Sequence, residues 1–119
     1  MLLDQARAAH PLECCGLLLG EGGVVCAIVP TANVADNPAR HFEIDPAMLI
    51  AAERAMRQGG AQLIGYYHSH PDGLARPSAR DAAASAGDGR LWLIIGGDHM
   101  TAWLAHPHGF DAIDLKIAP

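Results

Sequence analysis

Residues 14–29 constrain the fold most. An apolar run, Cys14-Cys15-Gly16-Leu17-Leu18-Leu19, leads into Gly20-Glu21-Gly22-Gly23 and then into a second apolar run over residues 24–29. Two runs of strand length around a glycine-rich turn predict a β-hairpin. Before them, Leu2, Leu3, Ala6 and Ala9 have the spacing of a short helix over residues 2–10, which His10-Pro11 ends. After them, residues 30–41 lack periodicity and read as a loop. Asp45 then caps a helix with Pro46 at its first position, running through Met48, Leu49, Ala52 and Met56 to Gly59-Gly60. Residues 62–68 read as a buried strand, 71–77 as a loop and 78–86 as a helix. Strands follow at 91–95 and 100–105, joined near Gly96-Gly97, and the weak alternation of 110–117 suggests a last one. After the N-terminal helix the order is β-β-α-β-α-β-β, which predicts an α/β fold: a mixed sheet with helices packed against it.

A chain of 119 residues suits one domain over 1–119, and with half its residues apolar it can build a core without staples. The net charge of −5 and the lack of a basic run argue against nucleic-acid binding. No apolar stretch approaches the ~18 residues that span a bilayer, and the N-terminus does not resemble a signal peptide. Cys14, Cys15 and Cys26 are odd in number, with two of them adjacent, so a disulfide framework is not expected. Together these features predict a cytoplasmic protein.

The chemistry concentrates in the segment from His68 to Asp81. His68 and His70, two residues apart on a strand, point to the same side. The turn-rich residues 71–77 bring the chain back to Ser78, and Asp81 falls in the first turn of the next helix. Two imidazoles and one carboxylate suit Zn²⁺, and three protein ligands leave a fourth position for water, as catalytic zinc sites do. The candidate proton acceptor is Glu13, at the start of the first buried run. Ser78-x-x-Asp81 also matches a helix capping box. A hydroxyl both accepts and donates, so Ser78 can cap the helix and still donate to an oxyanion.

The string His-Ser-His-Pro…Pro-Ser-x-x-Asp, with Glu13 upstream in Pro-Leu-Glu-Cys-Cys-Gly, resembles the JAMM (MPN+, JAB1/MPN/Mov34) metallopeptidases. Asn33 and Phe42-Glu-Ile-Asp-Pro46 extend the likeness along nearly the whole chain. The resemblance implies a mostly antiparallel mixed sheet and one zinc ion per chain on His68, His70 and Asp81. It further implies Glu13 as general acid/base and Ser78 stabilising the tetrahedral intermediate. The implied substrate is a peptide or isopeptide bond at the C-terminus of a ubiquitin-like or sulfur-carrier protein with a flexible tail. The alternative is a non-catalytic interaction module of the same fold, and a homodimer is left open. The remaining candidates have ordinary readings: His106-Pro107-His108 as surface loop, the three cysteines as small buried residues, and Trp92 and Trp103 as core or interface.

Overall fold

The two apolar runs do pair. The computed structural model describes residues 2–21 and 24–114, in which β1 (Cys15–Glu21) lies antiparallel to β2 (Val24–Thr31). Gly22 and Gly23 of the expected turn lie outside the described residues. The other elements are α1 (Leu2–Ala9), α2 (Pro46–Arg57), β3 (Gln62–His70), α3 (Ala79–Ala84), β4 (Leu91–Gly96), β5 (His99–His106) and β6 (Gly109–Ile113). Among the described residues, six strands form one sheet in the order β2-β1-β3-β4-β5-β6. Of the described strand pairs, β3 and β4 alone are parallel, and α3 lies in their crossover.

Adjacent residues of one strand serve opposite layers. Leu18 joins Tyr67, Leu93, Ile95 and Ala102 in a cluster closed by Leu2 of α1, with Leu3 and Ala6 packed against it. Its neighbour Leu17 joins Cys15, Ile44 and Leu63 on the other side, where Met48, Leu49, Ala52 and Met56 of α2 pack. The α2 start forms as the sequence predicts: the Asp45 carboxylate accepts the Ala47 N–H at 3.0 Å, with Pro46 in the first turn. No helix among the described residues is long and apolar enough to cross a membrane.

Several boundaries differ from the expectation. β3 continues to His70, because its parallel partner β4 pairs as far as Gly96 opposite that residue. α3 is shorter than residues 78–86, since Ser78 is its cap and Ser85 is already extended. The last strand pairs with β5 over Gly109–Ile113, and residues 115–117 of the expected segment lie outside the described residues. Cys15 is buried and Cys14 half-buried, but Cys26 is exposed, since β2 is an outer strand with a neighbour on one side only. His108 is exposed as expected, at the β5–β6 turn beside Asp111.

Gly65 shows how tightly β3 meets β4. A Cβ there would lie 2.0 Å from the Leu91 carbonyl oxygen and 2.8 Å from its Cβ. Gly65→Ala is therefore expected to cost about 1–3 kcal/mol as overpacking, read as an earlier urea midpoint. An unchanged midpoint would mean that this strand pair gives way easily.

Candidate active site

Three chain segments meet at the C-terminal end of β3. His68 and His70 reach it from that strand, Glu13 from the residues just before β1, and Asp81 from the first turn of α3. The register explains the meeting: Cys15 pairs with His68 across the β1–β3 ladder, which puts Glu13 close to both imidazoles. Ligand atoms of Glu13, His68 and His70 lie within 4.8 Å of one another. The two histidine Nε2 atoms are 3.0 Å apart, and Asp81 Oδ2 is 3.3 Å from the first and 3.1 Å from the second. Glu13, His68 and Asp81 are buried.

The capping box is also present. Ser78 Oγ accepts the Asp81 N–H at 3.0 Å, and Asp81 Oδ2 accepts the Ser78 N–H at 2.8 Å. The cap therefore aims the carboxylate at the imidazoles, so capping α3 and facing His68 and His70 are compatible for Asp81. Ser78 and Glu13 line two openings in common. One is a groove of about 560 Å³ running past Phe42, Leu49, Tyr66, Ala83 and Trp92. The other, of about 400 Å³, also takes in Arg40, His70 and Asp72.

Burial raises the Glu13 carboxyl to about 7; His70 and Arg80 oppose the rise, while Asp81 and Asp72 add to it. Burial also disfavours charge on Asp81, yet hydrogen bonds from His68 and His70 outweigh it and hold that carboxyl well below the usual range. Burial pushes His68 down, toward neutral imidazole. For His70, burial is overcome by Asp81 and by the Leu74 carbonyl, and the ring is pushed up. The site thus pairs an anionic Asp81 with a Glu13 carboxyl poised to take up or release a proton near neutral pH.

The sequence assigns no role to the residues that hold these groups, although Asn33 and Phe42 carry part of the family likeness. Asn33 Nδ2 donates to the Glu13 carbonyl at 3.0 Å and to the His41 carbonyl at 2.9 Å, while its Oδ1 accepts the Ala35 and Glu43 N–H groups. Ser69 ties β3 to the Glu13 segment: its Oγ accepts the Cys14 N–H at 2.8 Å, and its N–H donates to the Cys14 carbonyl at 3.0 Å. Phe42 stacks on His68 with ring centroids 4.1 Å apart. An asparagine in a turn-rich loop and a serine between two histidines were the available signals, and neither names its partner.

The donor set fits a zinc ion. Tetrahedral ligands at about 2.0–2.1 Å from zinc lie about 3.3 Å from one another, and the three donor atoms here are 3.0–3.3 Å apart. His70 Nδ1 lies 2.7 Å from the Leu74 carbonyl oxygen, which can only accept, so Nδ1 carries the proton and Nε2 faces the other donors.

Residues 1–106 match the family model described as prokaryotic homologs of the JAB domain. The chain is 37% identical over 102 residues to the desampylase of Haloferax volcanii, spanning 83% of this chain and 73% of that protein. It is 38% identical over 108 residues to the probable TtuB-protein conjugate cleaving protease of Thermus thermophilus, spanning 87% and 71%. The solution structure of a Desulfitobacterium hafniense protein superposes with a TM-score of 0.83 at 32% identity, covering 98% of this chain and 86% of that one. Family model and relatives define the class as a hydrolase of the JAB-domain type. The chain belongs to the prokaryotic JAB-domain family.

Proposed function

We propose that this protein is a zinc-dependent metallopeptidase cleaving a peptide or isopeptide bond at the C-terminus of a ubiquitin-like or sulfur-carrier protein. The observation that carries the reading is the convergence of His68 Nε2, His70 Nε2 and Asp81 Oδ2 beside a buried Glu13. His68, His70 and Asp81 would hold one zinc ion. Bound there, zinc supplies a Lewis acid that polarises the scissile carbonyl and acidifies water. Glu13 takes the proton of the attacking water and delivers it to the leaving amine, a task suited to a carboxyl raised to about 7. Ser78, whose oxygen already accepts the Asp81 N–H, keeps its own proton to donate to the oxyanion.

The groove past Phe42, Tyr66 and Trp92 supports an extended, narrow tail as the occupant. The relative named a probable TtuB-protein conjugate cleaving protease supports the same substrate class, alongside the desampylase. The complete set of five residues counts against a non-catalytic interaction module. Three free thiols, Cys14, Cys15 and Cys26, accord with a reducing cytoplasm.

The test is metal removal. Dialysis against a chelator is expected to abolish trimming of a carrier that ends in diglycine plus one further residue or a lysine-linked partner. One equivalent of zinc should restore it. Full activity after the metal content has fallen to background would sink the proposal.

A further inference from the structure

We propose that Thr101 is a positioning residue for the metal site, anchoring the loop whose carbonyl orients His70. The inference rests on the zinc reading above, and it concerns a residue two strands away from the donors. Residues 71–77 join His70 to Ser78 and Asp81, so the path of this loop sets the spacing of the cluster. Its Leu74 carbonyl accepts the His70 Nδ1–H at 2.7 Å and thereby leaves Nε2 for the cluster. Side-chain burial holds this loop only in part: Pro71, Ala75 and Pro77 are half-buried, but Leu74 is 48% exposed, and Asp72, Gly73 and Arg76 are exposed as well.

A hydrogen bond from β5 adds to that hold. Thr101 Oγ1 donates to the Ala75 carbonyl, the one following Leu74, at 2.7 Å. The same oxygen accepts the Trp103 Nε1–H at 2.8 Å. An indole N–H can only donate, so the single hydroxyl proton of Thr101 is free to go to the loop. Its other acceptor, the Ile94 carbonyl, lies at 3.5 Å and competes weakly. The ladders place Thr101 level with the cluster, because His68 pairs with Ile94 and Ile94 with Thr101. Gly96 lets the loop lie directly on β4: a Cβ there would sit 2.5 Å from Ala75 N and 2.7 Å from the Gly73 carbonyl oxygen. The relay Trp103–Thr101–Ala75 therefore fixes the backbone that selects the His70 tautomer, as partners beyond the ligands do in metal sites generally.

Thr101→Val keeps the shape and removes both hydrogen bonds. It is expected to weaken zinc binding about 10–100-fold in chelator competition. Excess zinc should then restore kcat, with KM for the carrier unchanged. Thr101→Ser is expected to retain the wild-type zinc affinity, and Trp103→Phe to lose part of it. A readout free of metal is the His70 tautomer in chelator-treated protein at alkaline pH, from imidazole nitrogen NMR shifts. Wild type should show the proton on Nδ1, and Thr101→Val a redistribution. Unchanged zinc affinity together with unchanged nitrogen shifts would overturn the role of Thr101, as would Thr101→Ser behaving like Val. A wild-type chain that binds zinc and shows the tautomer effect yet trims no carrier would overturn the proposed activity while supporting the Thr101 assignment.

Discussion

Glu13→Gln is expected to lower turnover by about 10²-fold or more while zinc stays bound at one equivalent per chain. The substitution is nearly isosteric, and what fixes residue 13 in place is its backbone. The Glu13 N–H donates to the Pro38 carbonyl at 2.8 Å, and the Glu13 carbonyl accepts from Asn33 at 3.0 Å. An amide side chain leaves both contacts intact but cannot take a proton from water. Stability should not fall. Burial favours the neutral form of Glu13, so its folded value of about 7 lies above the ordinary 4.5. A carboxyl raised in this way costs the folded state stability as the pH rises from about 4.5 toward 7, and a neutral amide escapes that cost. Chelator-treated Glu13→Gln should therefore melt at or above the wild-type temperature at neutral pH. Near-normal turnover would remove Glu13 from the chemistry, and loss of zinc from this variant would recast it as a ligand.

Asp81→Asn should act on the metal first. Removing the charge from the donor that faces both Nε2 atoms is expected to weaken zinc retention by at least about 100-fold, the upper end of what a partner beyond the ligands costs. The helix start should survive. The Asp81 N–H still reaches Ser78 Oγ, and an asparagine oxygen can still accept the Ser78 N–H. Asp81→Ala gives up that second bond as well and should lose about 1 kcal/mol of stability in addition. Metal analysis after dialysis, with thermal melting of both variants, separates the two roles. If Asp81→Asn keeps its zinc through dialysis, Asp81 is a cap alone and the ion, if bound, uses Glu13 with the two histidines.

Much of this protein is written locally. Strand alternation puts His68 and His70 on one side, and Ser78-x-x-Asp81 makes its own cap, because both patterns depend on residues a few positions apart. The hairpin, the Asp45–Pro46 helix start and the order of elements are legible for the same reason. Other features depended on which strand lies beside which. Glu13 reaches the histidines only because Cys15 pairs with His68, and Thr101 reaches the loop only because β5 lies beyond β4. The extension of β3 to His70 and the exposure of Cys26 follow from neighbours in the sheet, not from their own segments. Asn33, Ser69 and Phe42 acquire their tasks from distant partners. Periodicity and capping are near-neighbour physics, so the sequence alone could supply the donors. Their convergence is decided by long-range strand pairing, whose energy appears only when remote segments are packed together.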